Sequence, residues 1–369
     1  MNTWKKVGEL GQSLWYDNIG RSFITSGGLQ QMVGDLGLKG VTSNPSIFEK
    51  SISNGKEYDD DIRALIDAGK TTHEIYEKLT TDDVRLAADI LHDVYVATKG
   101  EDGYVSIEVD PTLAHNTEET IQQAQHLWKV VDRANIMIKI PGTPLGLPAI
   151  RKTISEGINV NVTLLFGIDN YTQVAHAYIN GLNDRLKAGK EISGIRSVAS
   201  FFLSRVDTNV DKLLSVKGSE YQSLLGKAAN ANAKLAYERY REIFYGKDFD
   251  ELKRAGGHVQ RCLWASVSTK NPAFSDVLYI EPLIGKETVS TVPDDTLKAF
   301  ADHGIAADTL ASGLDDAHKT IEGLRSIGID TEKVAEELQI DGVKKFEEAF
   351  HKLLGVLEAK RKQVAEAVA

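Results

Sequence analysis

The chain has 369 residues, 42% of them hydrophobic and 26% charged, which is enough to bury one large core or two ordinary ones. Its formal net charge of -10 argues against a nucleic-acid or anionic-membrane surface, while leaving room for a local basic pocket that binds phosphate. The single cysteine, Cys262, excludes an internal disulfide, no stretch is apolar enough to span a bilayer, and the first residues lack the apolar centre of a secretion signal, so a cytoplasmic protein is expected.

Short apolar runs alternate with amphipathic stretches. Leu14–Asp17 and Gly40–Thr42 open a series of expected strands. Residues 45–103 then carry two or three helices, with Asp59, Asp60 and Asp61 near the start of one. Tyr104–Val109 is the third expected strand. Thr117–Ala134 reads as a helix: Thr117 can cap it, Glu118 and Glu119 suit its positive end, and Ile121, Ala124, Trp128 and Val131 share one face. Ile136–Ile140, Ile158–Thr163 and Ile195–Ser200 follow as strands, with a helix over Ile168–Leu186. A second helical insertion occupies residues 203–258 and includes Ala228–Phe244. Gln260–Ala265 and Val277–Ile280 bring the strands to eight. The tail from Asp330 to Ala369 reads as one short helix plus Val343–Val364, its charges forming a solvated face. Eight short runs rich in β-branched and aromatic residues, separated by helices, predict an α/β fold of the (β/α)8 TIM-barrel type, with the whole chain as one domain.

Several motifs have plainer explanations. Asn161-Val162-Thr163 matches a glycosylation sequon without a secretion signal. Gly69-Lys70-Thr71 resembles the end of a P-loop, but Ala64 stands where the first glycine belongs and a helical pattern precedes it. The nine histidines form no H-x-x-x-H pair, so no helix-borne metal site is expected. Cys262 reads as a small core residue.

Lys139 is the anomaly. It lies inside Ile136-Met137-Ile138-Lys139-Ile140-Pro141, a run that otherwise reads as a buried strand. Burying an unpaired ammonium costs several kcal/mol, and shedding its proton gives the amine that Schiff-base chemistry requires. The plain alternative is a lysine that snorkels to water or meets a carboxylate. In a (β/α)8 barrel the strand ends converge on one rim, which gathers Asp17, Thr42, Asn44, Glu108, Lys139, Asn161, Thr163, Ser200, Arg205 and Ser266. There Lys139 can attack a ketone, Glu108 can handle protons through a water, and Asp17 can take the proton of a substrate hydroxyl, starting retro-aldol cleavage without a metal or cofactor. Asn44, Asn161 and Thr163 offer neutral hydrogen bonds to sugar hydroxyls. Arg205, helped by Lys270, would hold a phosphate.

Leu14-Trp15-Tyr16-Asp17, Thr42-Ser43-Asn44-Pro45-Ser46, Glu108-Val109-Asp110, Ile138-Lys139-Ile140-Pro141, Asn161-Val162-Thr163-Leu164-Leu165-Phe166, Ser200-Phe201-Phe202-Leu203-Ser204-Arg205 and Trp264-Ala265-Ser266 resemble the ordered motifs of transaldolase. The resemblance implies a class I aldolase-like barrel that moves a dihydroxyacetone unit between sugar phosphates in the pentose phosphate pathway. It implies Lys139 as the Schiff-base lysine, Asp17 as the acid/base at the cleaved bond, Glu108 and Thr163 as partners of a catalytic water, Asn44 and Asn161 as contacts of the dihydroxyacetone unit, and Ser200 and Arg205 in the phosphate region. Thr42, Ser266 and Lys270 complete the expected substrate-binding set. Two motifs depart from the shorter members: Phe201 and Ser204 replace the Pro and Gly of S-P-F-x-G-R, and Ala265-Ser266-Val267-Ser268-Thr269-Lys270-Asn271 lacks the Arg of A-S-F-R-N. The long insertions fit the longer, actinobacterial and cyanobacterial type of branch. A related aldolase that releases free dihydroxyacetone would use the same lysine. A non-catalytic sugar-phosphate binder would need neither Lys139 nor its two carboxylates.

Overall fold

The computed structural model describes residues 2–54 and 56–368. Eight parallel strands close into a barrel in chain order: β1 (Gln12–Tyr16), β2 (Gly40–Thr42), β3 (Tyr104–Glu108), β4 (Ile136–Pro141), β5 (Val160–Leu165), β6 (Ser197–Phe202), β7 (Gln260–Ala265) and β8 (Thr288–Val292). Closure is made by β1 and β8, paired from Gln12↔Thr288 to Tyr16↔Val292. The expected (β/α)8 barrel is therefore borne out.

Helices α1 (Thr3–Glu9), α2 (Arg21–Thr25) and α3 (Gly28–Leu36) flank the first strands. The segment after β2 holds α4 (Pro45–Asn54), α5 (Asp59–Asp67) and α6 (Thr72–Ala97). Next come α7 (Thr117–Val131), α8 (Gly146–Glu156) and α9 (Ile168–Lys187). Between β6 and β7 lie α10 (Ser204–Ser215), α11 (Ala228–Phe244) and α12 (Lys247–Arg254). The chain ends with α13 (Asp294–His303), α14 (Leu314–Ser326) and α15 (Thr331–Val368). The P-loop lookalike is a helix start: Thr71 Oγ1 accepts from the Glu74 amide while Glu74 accepts from the Thr71 amide, a reciprocal cap of α6.

The barrel interior is layered by the two-residue period of its strands. Trp15, Tyr104, Met137, Val198, Leu263 and Val289 pack together as an apolar layer. Gly40 is small because a Cβ there would lie 2.5 Å from the Trp15 indole. Below this layer, toward the N-terminal ends, Arg261 pairs with Asp102 at 3.0 Å, and Ser13 and Trp15 also donate to Asp102. Arg196 and His258 bind Glu101 at 2.9 and 2.8 Å. Two residues above the apolar layer, the same inward positions become Asp17, Ser106, Lys139, Ser200, Ala265 and Thr291. A polar floor thus sits on an apolar plug.

Four expectations need correction. Val277–Ile280 is a turn, not a strand; β8 is Thr288–Val292. Residues 266–276 are too short for a crossover between parallel strands, which takes a dozen residues or more. The run is apolar because Val277, Tyr279 and Ile280 are buried in the helical layer, where the Tyr279 hydroxyl donates to Asp207 at 2.8 Å. The tail is one continuous helix rather than a short helix plus Val343–Val364, and one face of it is buried through Val334, Leu338, Phe346, Phe350, Leu353 and Leu357. Asn116, not Thr117, caps α7 by accepting from the Glu119 amide, and that helix stops at Val131 because Asp132 turns left-handed with φ 52°. Strand boundaries shift by up to two residues at β1, β5 and β6, which leaves Asp17 just past the end of β1.

Candidate active site

The site is built on a row that crosses three strands. Glu108 on β3 stands opposite Lys139 on β4, and Lys139 stands opposite Asn161 on β5. All three are buried. Lys139 Nζ lies 3.3 Å from Glu108 Oε2 and donates to the Ser43 carbonyl at 3.2 Å. Burial raises the Glu108 carboxyl above its ordinary range, and the neighbouring Lys139 pulls it partly back. The lysine of the plain alternative does meet a carboxylate, but it also opens onto a cavity, which a purely structural pair has no need to do.

That cavity, about 170 Å³, is lined by Asp17, Thr42, Asn44, Lys139, Thr163, Ser200, Arg205 and Ser266. Eight of the residues expected from the sequence therefore converge. Asp17 accepts from Thr42 Oγ1 at 2.9 Å, which orients its carboxylate. Asn44 caps α4 by accepting from the Ile47 amide at 3.0 Å, with Pro45 at the first helical position, so the T-S-N-P-S run is itself a helix start. Thr163 is placed by an irregularity in β5 between Val162 and Leu165, where Leu164 adopts φ 60°. Such a bulge re-aims the side chains beside it. Thr163 Oγ1 is buried and has no hydrogen-bond partner among the described residues.

Asn161 does not line the cavity. Its amide nitrogen donates to Ser106 Oγ at 3.0 Å and its oxygen accepts from Ser200 Oγ at 2.6 Å, so it locks the floor from beneath. Lys270 is also outside. Ser266 takes φ 52° and its amide donates to Thr291 Oγ1 at 2.8 Å; beyond this turn Lys270 lines a neighbouring cavity instead. Arg205 lies at the junction of the two cavities, with its guanidinium 5.3 Å from the Phe202 ring centre. Its Nη1 is buried without a hydrogen-bond partner among the described residues.

Of the lining residues outside the expected set, two stand on elements whose place the sequence reading missed. Thr291 was hidden by the misplaced eighth strand, although Thr288-Val289-Ser290-Thr291-Val292 carries a clear β-branched signal. Phe346 comes from α15, and Lys139 Nζ lies 5.6 Å from its ring centre. Helix α15 reaches this position through Gln339, whose side-chain amide donates to the Gly142 and Leu164 carbonyls and to Asn170, and through Glu332, which accepts from the Ile168 and Asp169 amides at the start of α9.

A lysine paired with a buried carboxylate, facing an aspartate across a small polar cavity, can form an iminium and move protons around it. The family model for transaldolase and fructose-6-phosphate aldolase matches residues 14–357. A transaldolase 2 of Nostoc sp. is 47% identical over 369 residues, covering 97% of both chains. A transaldolase 1 of Streptomyces avermitilis is 47% identical over 95% of this chain and 93% of its own, and a transaldolase of Mycolicibacterium smegmatis is 47% identical over 95% and 96%. The match runs from the first strand into the last helix and takes in every residue of the site, so the chain belongs to the transaldolase/fructose-6-phosphate aldolase family.

Proposed function

We propose that the protein is a transaldolase, moving a dihydroxyacetone unit from sedoheptulose 7-phosphate to glyceraldehyde 3-phosphate and giving erythrose 4-phosphate and fructose 6-phosphate. The observation that carries the reading is the buried Lys139–Glu108 pair at 3.3 Å, open to a cavity shared with Asp17. Glu108, with its raised carboxyl, accepts a proton from the lysine, and the freed amine attacks the donor ketone. The carbinolamine loses water to give an iminium, with Glu108 supplying the proton through a water that Thr163 helps to hold. Asp17 takes the proton of the hydroxyl on the fourth carbon. The bond between the third and fourth carbons breaks, its electrons enter the iminium to form an enamine, and the aldehyde leaves. The enamine then attacks the acceptor aldehyde, Asp17 returns the proton, and hydrolysis frees Lys139. Asn44, Thr42 and Ser200 bind sugar hydroxyls, Asn161 holds the floor, and Arg205 binds the phosphate.

Borohydride reduction in the presence of fructose 6-phosphate, followed by intact-mass and peptide mapping, is expected to leave one dihydroxyacetone-derived adduct on Lys139. No adduct, or one elsewhere, overturns the mechanism. Turnover is expected only when an aldehyde acceptor is present; full-rate cleavage without one would assign the protein to the aldolase side of the family.

A further inference from the structure

Beside the Lys139 cavity lies a second one of about 250 Å³, sharing Phe202, Arg205 and Ser266 with it. Its far side is formed by Lys270, from the segment after β7, and by Asp341 and Lys345 of α15. A phosphate monoester carries about 1.5 to 2 negative charges near neutral pH, more than one guanidinium balances. The strand end of β7 supplies no arginine. We propose that Lys345 of α15 is a specificity-determining residue, the second cation that receives the substrate phosphate opposite Arg205; this rests on the transaldolase reading above.

The geometry favours Lys345 over a role confined to the helix surface. Its ammonium pairs with Asp341 at 2.6 Å one helical turn away, and both side chains are half-exposed where they line this cavity. Asp341 also acts on Arg205: burial disfavours the guanidinium charge and Asp341 restores part of it. One carboxylate therefore favours the charge of two cations that line the same cavity, while Arg205 Nη1 stays without a hydrogen-bond partner among the described residues and open to a phosphate entering between them. Helix α15 comes close at this point because residue 342 is glycine; a Cβ there would lie 3.0 Å from Leu164 and 3.6 Å from Arg205 Nη1. The phosphate end would then be assembled from the barrel rim and from the last helix together.

Inorganic phosphate, tested as a competitive inhibitor against fructose 6-phosphate, is the direct probe. In Lys345→Met its inhibition constant is expected to rise about tenfold, and the preference for erythrose 4-phosphate over unphosphorylated erythrose to fall by a similar factor. Lys345→Arg should keep most of both. An unchanged inhibition constant overturns the proposal. So does an equal loss with both acceptors, which would mean that Lys345 only seats α15. Borohydride labelling of Lys139 in the same preparations separates the two levels: an adduct without a Lys345 effect removes this inference alone, and no adduct in the unmutated protein removes the transaldolase mechanism beneath it.

Discussion

Glu108 and Lys139 are two charges that neither the barrel wall nor the apolar layer beneath would accept singly. Breaking such a pair from one side usually costs 3–5 kcal/mol, as an uncompensated charge stays behind. Here the two sides differ. Lys139→Met leaves Glu108, whose carboxyl burial already raises, and protonation relieves it. The variant is therefore expected to keep the barrel's circular dichroism and lose the borohydride adduct and transfer altogether; residual transfer would exclude Lys139 as the nucleophile. Glu108→Gln keeps the shape and removes the proton carrier. General acid–base groups contribute about 10²- to 10⁴-fold, so kcat is expected to fall by that factor while KM for the donor changes little. A loss confined to KM would make Glu108 a binding group instead.

At the scale of elements, α15 does the most that its sequence does not advertise. Gln339 spreads its amide over two backbone carbonyls and Asn170, and Gln339→Ala would take that donor from the Leu164 carbonyl and Asn170 Oδ1, while the Gly142 carbonyl keeps the Asn170 amide. Each such loss costs about 1–3 kcal/mol. Urea unfolding of Gln339→Ala is expected to show destabilisation in that range; a change below a few tenths would mean that water replaces the side chain without cost. The strands were legible because burial on both faces leaves short β-branched runs, and the site because polar residues interrupt those runs at their C-terminal ends. The eighth strand was missed because an apolar loop, Val277–Ile280, imitates one and lies closer to β7. The covering role of α15 was missed because Val334, Leu338, Phe346 and Phe350 are diluted by charges facing solvent. Nothing in a helical period says which surface its apolar stripe will meet. Lys270 follows Ser266 closely in sequence, but beyond the left-handed turn at Ser266 it lines the neighbouring cavity that Arg205 shares, not the one that holds Lys139.

Across the whole molecule, the barrel divides its labour by height. The ionic layer at the N-terminal face stabilises, the apolar layer seals, and the polar floor opens onto the cavity where the proposed chemistry would take place. Glu101 gives the lowest layer a pH signature. Burial pushes its carboxyl up, but His258, Arg196 and Arg261 outweigh that and bring it down to about 2. A carboxyl lowered by folding contributes stability above its ordinary pKa of 4.5 and loses it as pH falls toward 2. Thermal unfolding of the wild type and Glu101→Gln is therefore expected to show its full difference above about pH 5 and to converge as pH falls from 4.5 toward 2. A gap that holds constant down to the acid limit would show that Glu101 is not paired in solution.

Phe346 and Lys139 meet over the cavity although they lie 207 positions apart in sequence. During synthesis the amine and its carboxylate partner leave the ribosome long before the ring that covers them. The barrel itself cannot close until Thr288–Val292 has emerged to join Gln12–Tyr16. A nascent chain, or one clipped in α15 ahead of Lys345 by a protease, therefore carries Lys139 without its cover and without Lys345. The order of translation makes finished length the condition for a competent site.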